Sequence, residues 1–423
     1  MQYSTRSGRK HALTLAMAAA MAQAMTLPAS ASAAVSSSEL QQQIDALQRQ
    51  VTALNSEVQQ AAEWKNPNTL VHMAGYANVG YAKTDAAGDK GSFSGGTFAP
   101  IFHYQYRDIV MLEAEMELST MENGEAESRL EYLTIDWFAT DNITVVAGQF
   151  LSPIGQFRQN LHPSWINKMA SAAPGFGHDG AAPIADIGVQ LRGGFHLGGM
   201  KANYAVYVAN GPEIKAEVED DGSGGVDAIE YDGIAAEAFG ADRDGNKVFG
   251  GRLGLLPVAS LEIGLSFISG KAKVTEYEDL DLSLFNTNTA PPDLDSTAFA
   301  ASSYDVIGAD VSWRNRNSDV RFEYVKSELG ATAIGGFGLE AAAWSTWYAQ
   351  YAYKFPGTRV EAAIRYGDFD SPGAAKDVQQ TAVGLNYLFT NNFIGKITYE
   401  SNDNPNAGFN ADNRWLLQLA YGF

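Results

Sequence analysis

The sequence predicts an all-β fold, a transmembrane antiparallel β-barrel of about 16 strands preceded by a short N-terminal coiled-coil helix. Three observations predict it. Hydrophobicity alternates with a period of two from about residue 69 to the C-terminus, tight turns alternate with long polar links, and the N-terminus has the layout of an export signal.

The 423 residues include 42 Gly, 11 % aromatics and no cysteine, with a formal net charge of −20. A chain without cysteine has neither a disulfide framework nor a thiolate metal site. Its acidic balance argues against a nucleic-acid partner.

Residues 1–33 form the expected signal peptide. Arg6, Arg9 and Lys10 supply the charged start, His11 to Leu27 the apolar stretch, and Ala31-Ser32-Ala33 the small-residue cleavage pattern. A retained membrane anchor is the alternative. No later stretch reaches about 18 consecutive apolar residues, so any further membrane crossing falls to strands closed into a barrel.

Residues 34–66 are expected to be a periplasmic coiled coil and linker. Leu40, Leu47 and Leu54 share one heptad position, and Ile44, Val51 and Val58 share the other. Three heptads need partner chains to hold together. A single amphipathic helix lying on the body is the alternative.

Residues 67–423 are expected to be the barrel. Candidate strands run over 69–83, 98–107, 109–120, 129–138, 143–151, 185–198, 201–210, 247–256, 261–271, 304–314, 320–328, 344–355, 359–368, 379–389, 393–401 and 413–423. Every second link is a tight turn, as at Arg107-Asp108, Gly198-Gly199-Met200 and Pro356-Gly357-Thr358. The remaining links are mostly long and acidic, and 213–246 carries eleven acids against two bases. That segregation marks an outer-membrane barrel, whereas a soluble sandwich or propeller does not sort its loops this way. The closing segment RWLLQLAYGF turns Trp415, Leu417, Leu419, Tyr421 and Phe423 to one face, the expected lipid side.

The opposite parity faces the lumen. It carries Arg107, Arg192, Arg252, Arg314, Arg321, Arg359, Arg365, Lys396 and Arg414, together with Asp310, Glu323, Glu361 and Glu400. Glu113, Glu115 and Glu117 form an acidic strip on one strand. Charged rings in a barrel of this size select ions, with Arg and Lys favouring anions. The alternative is lateral pairing along the wall, as Arg321 with Glu323 or Arg359 with Glu361.

The third long link, 152–184, combines Arg158, His162 and Lys168 with Phe157, Trp165, Ile166 and Met169. It is too apolar and too basic to match its acidic neighbours. It is expected to fold inward as a constriction, with Arg158, His162 and Lys168 contacting solute alongside Arg192, Arg252, Arg321 and Arg365 on the wall. An outward lid packed on its own aromatics is the alternative.

Ala147-Gly-Gln-Phe150, Pro153-Ile-Gly155 and Leu161-His-Pro-Ser-Trp-Ile-Asn-Lys168, taken with the leader, the heptads, the strand count and the terminal Phe423, carry a resemblance. The chain resembles the phosphate-selective porin O and P superfamily, and within it the coiled-coil-bearing trimeric dicarboxylate porins of Gram-negative outer membranes. The resemblance implies a homotrimer, an inward third loop and a preference for small anions. The sequence departs from the phosphate pattern in lacking a lysine-rich entrance and a dense arginine ladder.

The expected function is therefore passive diffusion of small hydrophilic solutes, with a preference for small carboxylates, and no enzymatic activity, cofactor or metal. Outer-membrane lipid and lipopolysaccharide are the expected surroundings, and peptidoglycan is a candidate contact of the coiled coil. The alternatives are a phosphate-selective or cation-tolerant channel and a non-conducting tether or adhesin.

Overall fold

The computed structural model describes residues 68–121, 124–177, 181, 184–220, 226–235, 245–278, 300–334, 337–372, 377–404 and 412–423. The expected signal peptide and coiled coil lie outside them.

The chain opens with β1 (Thr69–Thr84), β2 (Ser92–Tyr106), β3 (Val110–Thr120), β4 (Ala126–Thr140) and β5 (Ile143–Leu151). After the long third link come β6 (Ala185–Leu197), β7 (Met200–Ala209), β8 (Glu213–Asp220), β9 (Val226–Ala235), β10 (Val248–Val258), β11 (Leu261–Ala272) and β12 (Val274–Glu278). The last third holds β13 (Ser302–Asn315), β14 (Ser318–Leu329), β15 (Thr332–Ile334), β16 (Phe337–Leu339) and β17 (Ala342–Lys354). It ends with β18 (Val360–Asp370), β19 (Val378–Leu388), β20 (Phe393–Asp403) and β21 (Arg414–Gly422).

Sixteen of these strands close one antiparallel barrel, in the order β1 to β7, β10, β11, β13, β14 and β17 to β21. The last strand seals the sheet by pairing β1 from Tyr76↔Gly422 to Thr84↔Arg414. Phe423 extends that seam, because Gly75 and Phe423 exchange backbone hydrogen bonds of 3.0 Å in both directions. Closure leaves no unpaired edge, which a lipid-facing sheet requires.

Alternation along each strand sorts side chains between two environments. On β21, Trp415, Leu417, Leu419 and Tyr421 stay exposed on the outside while Ala420 and Gly422 are buried within. The same belt continues through Leu385 and Tyr387, Ile364 and Tyr366, and Leu265 and Phe267. Such a belt, with aromatics near its rims, is the surface a bilayer covers.

All sixteen strands expected from the sequence have counterparts. β2 starts at Ser92, six residues earlier than expected, since Ser and Gly around Gly95-Gly96 are poor strand formers. Pairing with β1 carries them there, with a register shift between Asn78 and Gly80. Five short strands were not expected. β12, β8 and β9 form one three-stranded sheet and β15–β16 a hairpin, both within long links. The charge of Glu213–Asp220 obscured its Ile-Ala-Val alternation in the sequence; Ile214 of β8, Tyr231 of β9 and Val274 of β12 are buried.

Candidate functional site: a loop across the barrel and the cavity beside it

Link 152–184 leaves the wall and returns to it at one point, where the Ser152 amide donates to the Ile184 carbonyl at 2.9 Å. Between them the chain forms a short π-helix over Phe157–Leu161 and a turn in which the Ile166 and Asn167 amides both donate to the Pro163 carbonyl. Ile154, Phe157, Leu161 and Phe176 are buried with Phe150, Tyr207, Tyr304, Tyr348 and Phe369 of the wall. Burying an apolar side chain of this size contributes about 1.5–3 kcal/mol, so the loop has strong reason to stay inside.

Polar tethers fix its path against the β14–β21 side. Glu323 of β14 accepts the amides of Gln156 and Phe157 at 2.9 and 3.1 Å and the Tyr348 hydroxyl at 2.7 Å. Gly155 makes this possible. Its φ is +72°, and a Cβ there would lie 2.3 Å from the Glu323 carboxylate. Further along, Lys168 pairs with Glu361 at 2.9 Å, and Asn386 donates to the Lys168 carbonyl at 2.9 Å. Lys396 donates to the carbonyls of Ser164 and Met169, and Gln418 to that of Ala170.

Arg365 is almost fully buried and is engaged by the loop. It donates to the carbonyls of Ser171 and Ala172 at 3.0 and 2.9 Å, to the Ser171 hydroxyl, and to Gln380 of the wall at 2.8 Å. Glu400 holds Arg414 and the Ser171 hydroxyl and lies 3.7 Å from Arg365. Trp165 lies against Gly422, where any Cβ would meet its indole ring at 2.6 Å. The small inward residues of the closing strand are thus the floor on which the loop rests.

The other side of the loop is open. A cavity of about 730 Å³ separates Pro153, Gln156, Gln159, Asn160 and His162 from the wall of β3–β7, β10 and β11. Its charged lining is Glu113, Glu115 and Glu262 against Arg192 and Arg252, with His162 on the loop.

The two wall arginines are heavily paired. Arg252 forms a two-pronged bridge to Asp310 at 2.7 and 3.0 Å, reaches Glu262 at 3.0 Å and donates to Asn203 at 3.0 Å. Arg192 bridges Asp136 and Glu113, the latter at 3.2 Å, and remains 43 % exposed. His162 Nδ1 contacts the Arg158 carbonyl, and its Nε2 lies 3.5 Å from Glu115. Bridges of this kind offset the cost of desolvating each charge.

The residues expected at a constriction therefore divide. His162, Arg192 and Arg252 border the cavity, as do Glu113 and Glu115. Lys168, Arg321 and Arg365 instead line a packing gap of about 10 Å³ on the tethered side. Arg158 lies in the π-helix, half-buried and within electrostatic reach of Glu131. Glu117 accepts from Ser119 at 3.0 Å near the end of β3.

The lateral pairs considered from sequence do not form as written. Arg321 bridges Asp319 at 2.8 Å rather than Glu323, whose oxygens the loop takes, and Glu361 bridges Lys168 rather than Arg359. Arg314 also pairs with Asp319, at 3.0 Å, while Arg359 lies exposed in the turn before β18 and the Arg107 guanidinium lies over the Tyr106 ring. The Ser164 hydroxyl has no hydrogen-bond partner among the described residues, so it forms no nucleophile–base pair with the nearby His162.

Sequence reasoning missed Gln156, Gln159 and Asn160 as cavity residues. The short π-helix puts all three on the open side, and no periodicity in so short a stretch announces it. Glu262 and Asn203 were missed because their role is to hold Arg252.

The fold has solved counterparts. An anion-selective porin from Comamonas acidovorans superposes with a TM-score of 0.52 at 13 % identity, covering 84 % of this chain and 100 % of its own. Salmonella typhi OmpF, solved in complex with daunomycin, gives 0.51 at 14 % identity, covering 85 % and 99 %. The outer-membrane channel DcaP of Acinetobacter baumannii gives 0.50 at 10 % identity, covering 85 % and 99 %. A trimer form of Vibrio cholerae OmpT also gives 0.50, at 10 % identity, covering 84 % and 99 %. No protein-family model matches the chain, and no curated protein sequence matches it. The chain has the sixteen-stranded barrel fold of outer-membrane porins.

Proposed function

We propose that the protein is an outer-membrane channel through which small hydrophilic solutes diffuse passively, narrowed by link 152–184. The observation that carries this reading is the polar cavity of about 730 Å³ between that loop and the wall, in a barrel whose outside is an apolar belt. The porin fold of the structural neighbours supports it, and the trimer form of OmpT supports reading this chain as a trimer too. The same belt and the leader-like start of the sequence support an exported, outer-membrane location.

Selectivity is where the geometry departs from the expectation. The anion preference inferred from sequence rests on basic residues, yet Lys168, Arg321 and Arg365 are committed to tethers or to wall carboxylates. At the cavity, three carboxylates face two arginines that are themselves bridged by Asp136 and Asp310. Acidic linings favour cations. We infer weak cation preference with broad solute tolerance. The anion-selective neighbour, at 13 % identity, supports the fold rather than the sign of selectivity.

The test is the reversal potential of the reconstituted protein under a potassium chloride gradient. Stepwise conductance with potassium modestly favoured over chloride supports the reading. A chloride preference restores the basic-loop expectation, and absence of conductance favours a structural tether.

A further inference from the structure

Two histidines outside the cavity lining form a second constellation. His72 of β1 and His103 of β2 are direct cross-strand partners, near the end of the barrel where the tight turns lie. Their rings stack with centroids 5.5 Å apart and planes inclined by 24°, and the two Nδ1 atoms are 3.3 Å apart. On its far side, His103 Nε2 lies 3.0 Å from a Glu113 carboxylate oxygen.

We propose that His72 and His103 bind a zinc-class divalent cation between their Nδ1 atoms, at the tight-turn end of the lumen. Two imidazole nitrogens on one tetrahedral ion, each about 2.0–2.1 Å from it, stand roughly 3.4 Å from each other, close to the spacing already present. Glu113 completes the arrangement in a second way. By accepting from His103 Nε2–H it leaves the Nδ1 lone pair free for a metal and raises the basicity of the ring. His72 is exposed, so its Nε2–H can face water while its own Nδ1 turns to the ion. The rotation required is about χ2, a torsion with broad freedom in histidine.

Among the described residues no group of three or more His, Asp or Glu side chains converges as a metal cluster. The site is therefore a two-imidazole one completed by water, of the modest affinity that suits reversible occupancy. Imidazole selects zinc, copper and nickel over calcium and magnesium, which prefer all-oxygen shells. Because Glu113 is shared with Arg192, an ion here also sits within one residue of the cavity lining.

The test is calorimetric titration of the full-length purified protein with zinc chloride, with calcium chloride as control. Binding is read directly, so the result stands apart from whether the barrel conducts. Wild type should take up one zinc per chain and ignore calcium. His72→Ala, which removes an exposed side chain, should weaken zinc binding at least about tenfold, and Glu113→Gln should weaken it by a similar factor through His103. His103→Asn, which keeps a polar side chain facing Glu113, should abolish it. Absence of zinc binding by wild type at millimolar concentration, or equal binding by wild type and His72→Ala, overturns the proposal and leaves the pair as a hydrogen bond between neutral rings.

Discussion

Replacing Glu323 by Ala removes the acceptor that holds the start of the inward loop. The carboxylate is 1 % exposed and receives three donors, the Gln156 and Phe157 amides and the Tyr348 hydroxyl. A buried donor left without an acceptor costs about 1–3 kcal/mol, so three would cost up to about 9 kcal/mol if all stayed dry. Gln156 borders the cavity, however, and water admitted there can serve its amide and its neighbour. The low end, about 3 kcal/mol, is the appropriate figure, and it shifts the local loop equilibrium roughly a hundredfold.

The remaining tethers, from Lys168–Glu361 to Arg365–Ala172, are untouched, so residues 153–161 should loosen while the barrel stays intact. Hydrogen exchange at 156–161 should accelerate by roughly that factor. Single-channel recordings should show larger and noisier open currents. Glu323→Gln, which keeps one carbonyl acceptor, should show a smaller effect. Gly155→Ala should resemble Glu323→Ala, because its Cβ collides with the same carboxylate. Wild-type exchange and wild-type noise in Glu323→Ala would refute the idea that this carboxylate anchors the loop.

Leu417→Arg, at the middle of the closing strand and exposed on the apolar belt, should lower folding stability in lipid by about 2–4 kcal/mol, read as the shift in urea-unfolding midpoint; an unchanged midpoint would place that face away from the bilayer. Arg192→Gln should strengthen potassium preference in reversal-potential measurements, because the remaining lining charge becomes more negative, whereas Glu113→Gln should move it toward chloride. In the link between β1 and β2, donation from the Thr84 hydroxyl, and then from the Gly91 and Thr84 amides, lowers the Asp89 pKa to about 2. A depressed carboxyl pKa stabilises the link above the unfolded value of about 3.9 and loses that contribution as pH falls toward 2. Protection of the Thr84 amide should persist at pH 5 and decline in that acidic window; protection independent of Asp89→Asn would contradict the assignment.

Strand placement was legible because the lipid face needs apolar residues at every second position and the turns need Gly, Asn, Asp and Pro. Leu417, Leu419 and Tyr421 announce their side of the sheet without any neighbour being known. The lumen was less legible. Parity places Arg365 inside but cannot tell whether it meets water or a loop carbonyl, since its partners Ser171 and Ala172 are nearly two hundred positions earlier in the chain. The charge of Lys168 suggested solute contact, yet Glu361 captures it, and Gly384 of β19, lacking a Cβ, leaves room for the neighbouring Met169 of the loop. The cavity depends on which side of the lumen the loop leans toward, and that is decided by tethers such as Glu323, Asn386 and Lys396 acting together.

The proposed solute path runs between link 152–184 and the β3–β11 wall, and not along the tethered side of the loop. The chain has no cysteine, so single cysteines report without background. The direct measurement is conductance of the reconstituted Gln159→Cys and Ile166→Cys variants before and after a bulky, charged, thiol-specific reagent. Gln159 borders the open cavity and Ile166 the closed packing gap. Rapid modification and a stepwise drop in current for Gln159→Cys, with Ile166→Cys unmodified and its current unchanged, is the predicted result. Equal block of both variants, or full current through a modified Gln159→Cys channel, would contradict the account.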